Sequence, residues 1–311
     1  MLFLLLTACV SLAQGPLPSA PTAASAAEDF STASLSGSQL HPDLPELIES
    51  TKEPGYTREW ITLQWRPGDP IYLYVVRPTR VQKPPAVIYL YGFPSETDVY
   101  RDDDWCERVT AGGYAAVGFV PALTGHRYHD RSVKEWFVSE LQESLAKSAH
   151  DVQMVLNYLA ARGDVDMDRV GIFGEGAGGT IALMAASVDS RIKAVDLLNP
   201  WGDWPVWMAK SKVIPEEERA NYVKPGFLGK VAAFDPVSLL SALKTPHIRL
   251  VQFNDDSPNT PEEAKKKMEA VLPAAAEGHR FASHPEFDRS AASDERVSNW
   301  LKTELKAVSS R

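Results

Sequence analysis

Cysteine is scarce in this chain. Only Cys9 and Cys106 occur among 311 residues, so no disulfide framework can staple the fold. Positive charge is also in deficit: 32 Lys and Arg stand against 41 Asp and Glu, a net charge of −9. That balance argues against a nucleic acid or an anionic membrane surface as partner. The one markedly apolar stretch, residues 1–13, is too short to span a bilayer. Two nucleotide signatures are missing as well, G-x-G-x-x-G after a first strand and G-x-x-x-x-G-K-[ST]. His126, His129 and Asp130 share a polar stretch but form no defined zinc set, so neither a metal nor another cofactor is expected.

What is present begins with a targeting segment. Leu6-Thr7-Ala8-Cys9 resembles a bacterial lipobox, in which the cysteine is lipidated after cleavage. Ser11-Leu12-Ala13 offers a small-residue cleavage site instead, and no Lys or Arg precedes the apolar run. The protein is therefore expected to be lipid-anchored through Cys9 or secreted. Residues 14–55 form a lead-in, and 14–40, dominated by Ala, Ser, Pro, Thr and Gly, cannot bury a core; they read as a flexible tether.

From about Tyr56 the pattern becomes regular. Glu59–Gln64 and Ile71–Arg77 flank a Pro67-Gly68-Asp69 turn, as antiparallel strands would. Short apolar strands at 86–91, 114–120, 169–173, 194–198 and 248–253 then alternate with helical patterns. Those helices fall at 103–111, 135–161, 178–186, 261–271 and 293–307, and a helical insertion interrupts at about 199–234. Such alternation predicts an α/β fold with a mostly parallel sheet covered on both faces.

Residues 174–178 read Gly-Glu-Gly-Ala-Gly. They match the nucleophile elbow G-x-S-x-G of serine hydrolases, with Gly176 where the serine would stand. Around them lie Pro85–Gly92, Gly112-Gly113-Tyr114-Ala115, Val165–Ile172 and Asp189–Ala194. In order and spacing, residues 56–308 resemble the α/β-hydrolase superfamily, in its dienelactone hydrolase and prolyl oligopeptidase-like esterase branch. The resemblance implies a central sheet with helices on both faces, a small helical lid, and acyl-transfer chemistry.

That chemistry needs a nucleophile, a base, an orienting acid and an oxyanion hole. Gly176 supplies no side-chain oxygen. Ser95 is off the elbow, and Glu175 should point away from the cleft. The resemblance places the oxyanion donors at the Ala177 backbone N–H and at Tyr91, whose alternative role is packing at a strand end. It places the acid in Asn254-Asp255-Asp256, with Asp256 the better fit. The base depends on the last strand. If that strand precedes Gly278, His279 is the base; if it spans 279–284, the position falls near Asp288 or Arg289 and the histidine is lost. The second register fits better, because Pro-Ala-Ala-Ala-Glu-Gly is a poor strand. Arg127 could bind a carboxylate or phosphate. Trp201, Trp204 and Trp207 recur every third residue, as a pocket wall or as lid packing. The expectation is thus a pseudo-hydrolase that keeps a pocket for a small molecule or peptide. An active hydrolase of esters or peptides with an unrecognised site, and a protein-binding scaffold, stand as alternatives.

Overall fold

The computed structural model describes residues 32–36, 40–92, 98–122, 141–256, 259–286 and 293–308. Nine strands and nine α-helices run through them in the order β1 (Glu46–Lys52), β2 (Tyr56–Leu63), β3 (Ile71–Pro78), β4 (Pro85–Leu90), α1 (Asp103–Thr110), β5 (Ala115–Phe119), α2 (Leu141–Arg162), β6 (Asp166–Glu175), α3 (Ala177–Val188) and β7 (Ile192–Leu198). The insertion follows as α4 (Trp204–Lys210), α5 (Glu216–Tyr222), α6 (Pro225–Val231) and α7 (Pro236–Ala242). The chain then returns through β8 (His247–Phe253), α8 (Glu262–Ala270), β9 (Glu277–Phe281) and α9 (Ser293–Val308).

The strands form one sheet in the order β1-β2-β3-β5-β4-β6-β7-β8-β9. β1, β2, β3 and β5 pair antiparallel, and every pair from β5 through β4 to β9 is parallel. β4 and β5 are buried at every residue, as strands covered on both faces must be. Their side chains divide by parity. Ala86, Ile88 and Leu90 join a core with α2, α3 and the lid, whereas Val87 and Tyr89 join a second core with α1 and α9.

β1 was expected to be flexible lead-in. Six of its seven residues are exposed, so it carries no apolar alternation, yet it pairs with β2 from Glu46↔Thr62 to Lys52↔Thr57. Part of the expected tether is also docked. Ala33 is buried, the Leu35 N–H donates to Gln153 Oε1 at 3.3 Å, and the Thr32 carbonyl lies 3.1 Å from His150 Nε2 on α2.

The lid is fixed at its root by Asp235. Its carboxylate accepts the backbone N–H groups of Asp203 (3.0 Å), Trp204 (3.1 Å) and Val237 (3.0 Å). One side chain thereby caps α7 and holds the entry to α4.

Candidate functional site

The elbow is built by close approach. β6 ends at Glu175, Gly176 makes the turn, and α3 begins at Ala177. A β-carbon on Gly178 would lie 2.2 Å from the Leu90 carbonyl oxygen, so only glycine lets α3 start this close to β4. Gly176 sits at φ 53°, ψ −119°. This left-handed φ is one that a residue with a β-carbon reaches only under strain. Glycine adopts this conformation without that cost. The Gly176 N–H donates to the Leu198 carbonyl at 2.8 Å, and its own carbonyl accepts from Thr180 N at 3.2 Å and Trp201 N at 3.4 Å. Thr180 Oγ1 donates to the Trp201 carbonyl at 2.7 Å. These bonds tie the elbow to the loop after β7 and hold its shape without a serine.

A cavity of about 270 Å³ opens at this turn. Its lining includes Gly92, Gly176, Asn199, Asp255 and His284, which follow β4, β6, β7, β8 and β9 in turn. The carboxyl ends of parallel strands thus converge on one hollow, where open α/β sheets bind ligands. Glu175, Trp201, Phe253 and Asn259 complete the wall. The Ala177 N–H is in the first turn of α3, where helical N–H groups have no intrahelical acceptor.

Several expected residues are placed differently. His279 lies within β9, paired with Val251. Its side chain is 47% exposed and sits 3.3 Å from Glu277, which accepts a hydrogen bond from the Trp300 indole of α9. It does not line the cavity. Neither expected register of the last strand holds, because β9 ends at Phe281 and leaves His284 in the loop. His284 faces the hollow, its ring 4.8 Å from that of Phe253. Its backbone N–H donates to both Asp255 oxygens, at 3.3 and 3.2 Å. Asp255 is thus a carboxylate in the wall, and Asp256 is the last residue of the short turn after β8. His284 and Asp255 are a histidine and a carboxylate that share the wall.

Tyr91 directly follows β4. Its hydroxyl accepts from the Trp105 indole at 2.8 Å, and its ring packs among Tyr89, Tyr100 and Phe173. Glu175 is among the residues of the wall. Trp201 serves both suggested purposes: it lines the cavity and packs on Trp207 at 5.0 Å, while Trp204 and Trp207 are buried behind it. Arg127, His126, His129, Asp130, Ser95, Asp288, Arg289 and Cys9 lie outside the described residues.

Asn199 carried no signal in sequence. It adopts φ 44°, donates its N–H to the Val251 carbonyl at 2.8 Å, and accepts the Phe253 N–H on its side-chain oxygen at 2.8 Å. It locks the ends of β7 and β8 together beneath the hollow. His284 did carry a signal, since the His284-Pro285 pair marks the end of extended structure.

The sheet order, the elbow and the hollow at the strand ends define the α/β-hydrolase class. Within it, residues 71–297 match the profile of the Dienelactone hydrolase family, and the chain belongs to that family. A Bacillus subtilis protein named as a hydrolase, YtaP, is 26% identical over 239 residues, which cover 70% of this chain and 76% of that protein. In fold, the chain is similar to an acetyl xylan esterase from Paenibacillus sp. R4, with a TM-score of 0.64 at 15% identity, covering 85% of this chain and 89% of that one. It is also similar to acetyl xylan esterase 1 from Thermoanaerobacterium sp. JW/SL YS485, with a TM-score of 0.60 at 18% identity, covering 77% and 81%.

Proposed function

We propose that this protein is a pseudo-hydrolase of the cell envelope, which has lost its nucleophile and uses the retained cavity to bind a small molecule or peptide. One observation carries the reading: Gly176 stands at the elbow with no side-chain oxygen, while the hollow around it stays open. Nucleic acid is not among the partners. The envelope location rests on residues 1–13, with membrane contact only through a lipid on Cys9.

A second reading is favoured by the shared lining of the cavity by Asp255 and His284. A water in place of the absent serine oxygen would attack an ester directly. Its oxygen would bond to the acyl carbon, its proton would pass to the His284 imidazole, and the alcohol would leave with that proton returned. Magnitude favours the first reading, because an enzyme stripped of a triad member keeps only about 10³–10⁴-fold over water. Incubation of the purified protein with a fluorophosphonate should label no serine. Its turnover of short acyl esters should match that of His284→Ala. A labelled serine, or hydrolysis that His284→Ala abolishes, would overturn the pseudo-hydrolase reading. Fractionation of cells making the full chain should find it in the envelope or medium, and recovery in the cytosol would remove that part.

A further inference from the structure

We propose that Lys267 is a positioning residue for the hollow: its ion pair with Asp203 latches the loop after β7 in a strained form and so keeps Trp201 in the wall. The inference rests on reading the hollow as a binding site and names what sets its shape.

Among the described residues, two other than glycine have a left-handed φ, Asn199 at 44° and Asp203 at 56°. They bracket Pro200-Trp201-Gly202, the stretch that brings Trp201 to the cavity. A residue with a β-carbon keeps such an angle only where its surroundings impose it, and such positions gather at ligand clamps and switches. Asn199 is fixed by its bonds to Val251 and Phe253 at the end of β8. Gly202 is pressed against two helices. A β-carbon there would lie 2.7 Å from Pro236 Cβ of α7 and 3.2 Å from Met268 Sδ of α8.

Asp203 is the telling member of the loop. It stands at the N-cap of α4, where an aspartate ordinarily has an extended backbone and caps its own helix. Here the backbone is left-handed and the side chain makes no cap bond. Asp235 accepts the Asp203 and Trp204 N–H groups in its stead. The Asp203 carboxylate instead accepts from Lys267 Nζ of α8 at 2.8 Å. That carboxylate is 1% exposed, and Lys267, whose side chain is 53% exposed, is the one cation paired with it among the described residues. Without the ammonium, a buried carboxylate would be left beside that of Asp235, the costly half of a broken pair. Asp203 would then be drawn back to a negative φ. The Trp204 N–H is held by Asp235, so a turn about Asp203 displaces the loop side, with Trp201 two residues away. Trp201 in turn bonds to Gly176 through its N–H and to Thr180 through its carbonyl. One short loop thus links a half-exposed charge on α8 to the elbow.

The test labels the full chain with fluorotryptophan and follows it by fluorine NMR, with the Trp201 signal assigned by Trp201→Phe. Lys267→Met should shift or broaden the Trp201 signal and leave that of Trp300, on α9, in place. Lys267→Arg, which keeps a cation for Asp203, should leave both in place. Asp203→Asn removes the buried charge and keeps a residue type that tolerates the left-handed region. Adding Lys267→Met to it should therefore move Trp201 no further. An unmoved Trp201 signal in Lys267→Met would overturn the proposal. So would an equal displacement in Lys267→Arg, a displacement of Trp300 alongside Trp201, or a full further shift in the double variant. Should Asp203→Asn fail to fold, the comparison of Lys267→Met with Lys267→Arg decides alone. Neither a ligand nor turnover enters the measurement. A labelled serine would therefore defeat the pseudo-hydrolase reading while leaving the latch to stand or fall separately.

Discussion

At the scale of the residue, Gly176 puts glycine at the nucleophile position of an elbow that keeps its strand–turn–helix form. A β-carbon built on it would lie 3.5 Å from Trp201 Nε1 and 3.8 Å from Gly92 Cα, both ordinary contacts. Space therefore does not exclude a serine; only the positive φ opposes it. Gly176→Ser should lower stability by about 1–3 kcal/mol, measured by chemical denaturation. With Asp255 and His284 in the same hollow, it should also raise hydrolysis of short acyl esters by about 10³-fold over the wild type. Adding His284→Ala should remove that gain, whereas adding His279→Ala should not. A folded Gly176→Ser protein that stays inert would show that the acid and base have drifted from working geometry. The elbow was legible because five residues in a row carry it. The base was not. A five-residue strand ending at Phe281 was invisible in a run where Gly-His-Arg-Phe and Ala-Ser-His-Pro each have a histidine. A shift of a few residues in the strand end decides which one enters the cavity.

At the scale of the element, apolar runs located the parallel strands from β4 to β8 well, because burial on both faces leaves a continuous signature, whereas the largely exposed β9 left none. Nor did β1. It is an edge strand with exposed side chains, held mainly by backbone pairing to β2, and pairing writes little into composition. The lid was legible as an interruption, but its fastening was not. Asp235 receives three N–H groups across 32 residues of chain, a contact that sequence spacing does not announce. Asp235→Ala should strand those donors and cost about 2–4 kcal/mol. Because the fastened segment begins two residues after Trp201, tryptophan fluorescence should report a loosened lid at denaturant levels that leave the sheet folded. Loss of lid and sheet together, at the wild-type midpoint, would refute that role.

At the scale of the whole molecule, two cores on opposite sides of one sheet make the fold, and charge clusters stitch its antiparallel flank to the parallel centre. The clearest cluster surrounds Asp164, between α2 and β6. Arg162 reaches it at 2.7 Å and Arg77 of β3 at 3.0 Å, while Arg162 also meets Glu59 of β2 at 2.7 Å. Partial burial pushes the Asp164 carboxyl up, but the two arginines outweigh it and hold the group below the usual carboxylate range. A carboxyl depressed in the folded state adds stability above its unfolded pKa of about 4, and that stability is lost as pH falls through the lower folded value. The site is partly open to solvent, so its contribution is about 1 kcal/mol after screening. Asp164→Asn should accordingly lower the unfolding free energy by about that amount near pH 7, with the gap to wild type closing towards about pH 2. Urea denaturation across that range measures it. A gap of the same size at both ends would mean that the asparagine costs packing rather than charge, and the stitching of the flank would then have to be sought in Arg162 and Glu59.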